Sequence, residues 1–150
     1  MGLISFIKEA GVKLTGFGGS DKDAPEKSAE QLRKNLEKYN LNVEDTNITI
    51  NGDTAVVSGK AANQETKEKV VLALGNIKGI AGVDDQLMVE KEEPSAQYHT
   101  VESGDTLGAI AKKCYGSAGK YPVIFEANKP MLSDPNKIYP GQKLRIPPID

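Results

Sequence analysis

An α+β fold in two units is predicted for this chain of 150 residues, and three observations predict it. From Pro25 to Glu90 the apolar spacing switches between helical and strand periods, in the order helix, strand, strand, helix, strand. Glu90-Lys91-Glu92-Glu93-Pro94-Ser95 then breaks the pattern with charge and a proline. A shorter strand, helix, helix, strand pattern follows to the end. The expected division is an N-terminal helix with a glycine-rich connection at 1–24 that packs on the first unit, that unit at 25–90, a linker at 91–97, and a second unit at 98–150.

Each element has its own warrant. Leu3, Phe6, Ile7, Ala10 and Leu14 fall on one face of a helix, so a helix is predicted from Leu3 to Leu14. Gly16-Phe17-Gly18-Gly19-Ser20 breaks it, and Asp23-Ala24-Pro25-Glu26 gives an acidic start with proline in the first turn of the next. That helix buries Ala29, Leu32, Leu36 and Tyr39 and turns Glu30, Arg33, Lys34 and Glu37 to water. Ile48 and Ile50 alternate with polar residues, Asn51-Gly52 marks a tight turn, and Ala55, Val57 and Gly59 return on a second strand. Gln64 to Leu74 is helical with Val70, Val71 and Leu74 inward, and Gly75 stands where a left-handed C-cap belongs. Val83, Asp85, Leu87 and Val89 alternate on a third strand. In the second unit Asp105 or Thr106 can cap a helix whose buried stripe is Leu107, Ile110 and Ala111.

Composition narrows the function. The chain is 38% hydrophobic and 27% charged with a net charge of −2, so it folds and offers no basic field to a phosphate backbone. Nucleic acid is not an expected partner. One cysteine, Cys114, and one histidine, His99, exclude an internal disulfide framework and a cysteine or histidine zinc cluster. The apolar start Met1-Gly2-Leu3-Ile4-Ser5-Phe6-Ile7 is cut by Lys8 and Glu9 without a cleavage site, and Phe6 stands where myristoylation wants Ser or Thr. No stretch is long enough to span a membrane. A cytoplasmic, monomeric protein is expected.

Catalysis finds no foothold. Cys114 and His99 fall in different elements, and they read as a small buried thiol and a solvated strand histidine. Asp84 and Asp85 are adjacent on a strand and point to opposite faces. Asp21 and Asp23 lack the glycine and glutamate of a calcium loop. The stretch Gly75-Asn76-Ile77-Lys78-Gly79-Ile80-Ala81-Gly82 is different, because a helix C-terminus leaves carbonyls unpaired and favours a cation. Glycines let several carbonyls converge as they do around potassium, and further free carbonyls are expected near Ala10-Gly11. A capped helix simply entering a strand is the competing reading.

The 25–90 unit resembles the BON domain, whose Gly-Val-x-x-Val-x-Asn-x-Leu-x-Val signature is matched from Gly79 to Val89, with Asp85 at the asparagine, and whose second-strand glycine is Gly59. Tyr98-His99-Thr100-Val101-Glu102-Ser103-Gly104-Asp105-Thr106-Leu107 and Ile138-Tyr139-Pro140-Gly141-Gln142-Lys143-Leu144-Arg145-Ile146-Pro147 resemble the opening and close of a LysM domain. The pairing of the two, including Gly75-Asn76-Ile77, Val83-Asp84-Asp85-Gln86 and Phe125-Glu126-Ala127-Asn128, resembles a family of bacterial cytoplasmic potassium-binding proteins. That resemblance implies binding of potassium and larger monovalent cations, with the BON unit as receptor and the LysM unit in support. The expected ligands are the backbone carbonyls of Ile7, Ala10, Gly75, Ile77 and Ile80 or their immediate neighbours. The alternative is a LysM glycan groove lined by Gly104, Asp105, Thr106 and Leu107 and by Ile138, Tyr139, Pro140 and Gly141. A lipid-bound BON unit is disfavoured by the acidic balance.

Overall fold

The computed structural model describes residues 2–7, 25–41, 43–90, 96–129 and 131–148. The α+β class holds, with strands β1 (Gly2–Ser5), β2 (Val43–Asn51), β3 (Thr54–Ala61) and β4 (Gly82–Val89) and helices α1 (Pro25–Lys38) and α2 (Gln64–Gly75) in the first unit. The second unit contains β5 (Gln97–Thr100), α3 (Leu107–Tyr115), α4 (Tyr121–Ala127) and β6 (Lys143–Ile146).

The first sheet runs β1-β4-β3-β2. β3 and β4 are parallel and are joined through α2, whereas β1 and β2 pair antiparallel on the two sides. A parallel neighbour needs a crossover, and α2 supplies it while covering the sheet. Leu32 and Leu36 of α1, Val57 of β3, Val70, Val71 and Leu74 of α2, and Val83 and Leu87 of β4 form the core beneath. Residues Val70 to Gly75 are buried on every side of α2. A helix enclosed all round has neighbours on both flanks, here the sheet and the second unit.

Glycines mark the places where the backbone is crowded. β2 shifts register between Glu44 and Asn47, with Asp45 at φ 53°. Opposite that bulge a Cβ on Gly59 would lie 2.8 Å from the Glu44 carbonyl oxygen. The β2–β3 turn falls one residue later than the sequence suggests: Asn51 pairs with Thr54, so Gly52 and Asp53 form the loop, with Gly52 at φ 66°.

The expected N-terminal helix is corrected at its start. Gly2–Ser5 is a strand on the outer edge of β4, with Leu3 opposite Asp84 and Ile4 opposite Val83. Leu3 is exposed whereas Ile4 packs against the core, the alternation of a strand rather than a helical stripe. The open edge of β4 offers unpaired backbone groups, and pairing with them outweighs a weak local helical preference. The rest of that expected helix, Ala10 included, lies outside the described residues, as does most of the expected linker.

In the second unit β5 and β6 pair antiparallel, and Val101, Leu107, Ile110, Ile124, Leu132 and Leu144 make the core. Thr106 caps α3 by accepting from the Ala109 N–H at 3.0 Å, and Gly116 ends it at φ 79°. Two readings are corrected here. Cys114 is exposed rather than buried, although it follows Ile110 by four residues on the same face, because it falls in the last turn of α3 beyond the buried stripe. His99 is not simply solvated: its Nε2 sits 3.0 Å from Asp105 Oδ2, and its side chain is largely covered. Among the described residues no helix is long and apolar enough to cross a membrane.

Candidate cation site at the end of α2

The turn between α2 and β4 is built by three separate parts of the chain. Gly75 is the last helical residue, and the C-cap is Asn76 at φ −82°, so the left-handed cap expected at Gly75 is not formed. Its lack of a side chain serves another purpose. A Cβ there would lie 2.0 Å from Phe6 Cζ, so the Phe6 ring occupies the place a side chain would take. Phe6 is buried, and its N–H donates to the Ala81 carbonyl at 2.9 Å, which ties the N-terminal segment across the turn.

Within the turn the Ile80 N–H donates to the Ile77 carbonyl at 3.0 Å, and the Ala81 N–H donates to the Asp53 carbonyl at 2.8 Å. Ile77 and Ile80 are buried and anchor the loop on the core. Gly79 between them takes φ 107°, which only glycine accepts readily. Gly75, Ile77 and Ile80 therefore share one compact turn, and Phe6 brings Ile7 beside it with the Ile7 side chain exposed. Ala10 lies outside the described residues.

The third contributor comes from the other unit. Asn76 Nδ2 donates to the Lys143 carbonyl at 2.8 Å, and the Lys143 N–H donates to Asn76 Oδ1 at 2.9 Å. Lys143 then carries its Nζ to 5.1 Å from the Phe6 ring centroid, and burial holds its pKa below the usual lysine value. Farther along α2, Glu68 accepts from Arg145 Nε at 2.6 Å, from the Ala96 N–H at 2.9 Å and from Gln64 Nε2 at 3.1 Å. Tyr98 stands next to this cluster, and burial pushes its hydroxyl pKa far up, with Glu68 and Asp85 adding to the rise. Asp85 is inward-facing as its strand position requires, and burial raises its pKa against the Leu87 N–H and Lys67. Among the described residues no group of three or more His, Cys, Asp or Glu could hold a metal ion. Phe6, Asn76, Lys143, Glu68 and Arg145 were not legible as site residues, since each matters only through a partner distant in sequence.

The two LysM loops meet at their base, where the Gly141 N–H donates to the Val101 carbonyl and the Val101 N–H to the Gln142 carbonyl, both at 2.8 Å. Their side chains are largely engaged. Leu107 is core, Thr106 caps α3, and Asp105 accepts from the Glu102 N–H and faces His99, contacts that hold its pKa below the usual carboxylate range. Gly104 and Pro140 are exposed, and Ile138 packs against the core. The Tyr139 hydroxyl is buried without a hydrogen-bond partner among the described residues, and burial pushes it up to about 12.

A β-sheet crossed by α2 and a second unit docked on that helix define the class: residues 26–91 match the BON domain and residues 99–147 match the LysM domain. The chain is 49% identical over 150 residues to the potassium binding protein Kbp of Escherichia coli, covering 98% of this chain and 99% of that protein. It belongs to the same family as that protein. It is also 33% identical over 108 residues to an uncharacterized protein of Deinococcus radiodurans, covering 64% of this chain and 42% of that one. A third relative, the uncharacterized protein YqbP of Bacillus subtilis, is 37% identical over 70 residues, or 39% of this chain and 32% of YqbP.

Proposed function

We propose that this protein is a cytoplasmic potassium sensor or buffer, a binding protein rather than an enzyme, that holds the ion with backbone carbonyls of the α2–β4 turn and the N-terminal segment. The ligands in this reading are Ile7, Ala10, Gly75, Ile77 and Ile80. The observation that carries it is the Phe6–Gly75 contact, which closes the N-terminal segment over the carbonyl-bearing end of α2. A weakly hydrated monovalent cation suits such a place, because neutral carbonyl dipoles replace its water without a carboxylate. The near full-length identity to a potassium binding protein supports the same ion, and larger monovalent cations follow from the same chemistry. Ion binding to the docked form alone would stabilise the docking of the LysM unit. The glycan-groove alternative is less favoured, since Asp105, Thr106 and Leu107 are committed to internal contacts.

The test is calorimetric titration of the ion-free protein with potassium and with sodium at matched ionic strength. Saturable heat with potassium and none with equal sodium is expected. Identical traces in the two salts would remove the proposal.

A further inference from the structure

The C-terminal end of α2 has no basic residue in its own last turn. A helix end of this kind carries partial negative charge, which a nearby cation relieves. Here a positive group reaches that end from the LysM unit. The Asn76 amide grips the Lys143 backbone through two hydrogen bonds, and the lysine side chain lays its Nζ on Phe6, whose ring in turn lies on Gly75. No carboxylate pairs with Lys143 among the described residues, so the ammonium is committed to the Phe6 face and to the helix end behind it. Its partial burial keeps that charge from being fully screened by water.

We infer that Lys143 is a tethered counter-cation that lowers the affinity of the α2 turn for its ion and so sets the concentration range in which the protein responds. The inference rests on the cation reading of this turn. An arriving potassium ion brings a second positive charge to a helix end that Lys143 already serves, and the two repel across the Phe6 ring. The LysM unit thereby tunes the BON unit without donating a ligand. Asn76 is the positioning residue, because it fixes the strand from which the lysine reaches.

The experiment is calorimetric titration of the full chain with potassium chloride against a choline chloride background, for the wild type, Lys143→Met, Lys143→Gln and Lys143→Arg. The backbone contacts to Asn76 survive all three substitutions. Loss of the charge is expected to tighten potassium binding about three- to tenfold in the Met and Gln variants, the effect of one unit charge at intermediate dielectric, while Arg matches the wild type. A purely structural lysine gives the opposite pattern, with Met and Gln equal to the wild type or weaker, and that result overturns the inference while leaving the cation site intact. A wild type that takes up no potassium overturns both.

Discussion

Asn76, the C-cap of α2, satisfies both backbone polar groups of Lys143, and Asn128, the C-cap of α4, does the same for Arg145 two residues along the same strand. Residues two apart on a strand present their backbone groups on the same side, so two side-chain amides stand in for the missing neighbour of β6. One amide belongs to each unit. Asn76→Ala strips the Lys143 N–H and carbonyl of their partners in a half-buried place, and a loss of about 1–3 kcal/mol is expected on urea denaturation. Asn128→Ala, whose amide is fully buried and also donates to the Ile124 carbonyl, is expected to cost more.

Glu68 and Arg145 form the buried ion pair between the units, with side chains 4% and 9% exposed. Removing one partner leaves a desolvated charge, so Arg145→Met is expected to destabilise the protein by about 3–5 kcal/mol. The double variant Glu68→Met with Arg145→Met removes both charges and is expected to recover part of that loss. A double variant as unstable as the sum of the singles would show that the two side chains act independently.

Phe6 and Gly75 make one contact between them. Gly75→Ala favours the helix by about 1 kcal/mol in propensity but evicts the Phe6 ring, whose burial is worth about 2–3 kcal/mol. A net loss is expected, and Phe6→Ala with Gly75→Ala together should be little worse than Phe6→Ala alone. In potassium titrations Gly75→Val should lose more affinity than Lys78→Ala, whose side chain is exposed and away from the turn's packing.

Asp85 gives a pH test with a definite sign. Its pKa is raised in the folded state, chiefly by burial, so folding favours the protonated form. The penalty is absent below the ordinary aspartate value and grows as pH rises through the raised folded value. Asp85→Asn keeps an acceptor for the Leu87 N–H and is expected to melt higher than the wild type at pH 7, with the gap closing below pH 4. Potassium affinity should survive both Asp85→Asn and Asp84→Asn, since the carbonyl site uses neither carboxylate. Abolished binding in either would point to a carboxylate site instead.

Much of the architecture was legible because periodicity reports burial directly. Leu32 and Leu36 on α1, Val57 on β3, Val70, Val71 and Leu74 on α2 and Leu87 on β4 all occupy the core that their spacing assigned. The hairpin was misplaced by one residue because Asn51, a turn former, is also able to end a strand. The start of the chain was misread because Leu3, Ile4, Phe6 and Ile7 suit either period, and four residues carry too little pattern to choose. Cys114 was misplaced because cysteine is usually buried and its helix phase agrees with the buried stripe of α3, yet it falls in the last turn, where its side chain is exposed.

By itself the sequence determined the two units and the order of their helices and strands after Pro25, because local spacing and turn chemistry act over a few residues. The tertiary structure decided the rest. Only the free edge of β4 made Gly2–Ser5 a strand, and only the approach of Phe6 explains why position 75 has no side chain. Glu68 and Arg145 were two ordinary surface-type residues until folding buried them together. Contacts between residues 67 or 77 positions apart leave no period in a chain, so packing alone could reveal that the LysM unit closes on the end of α2.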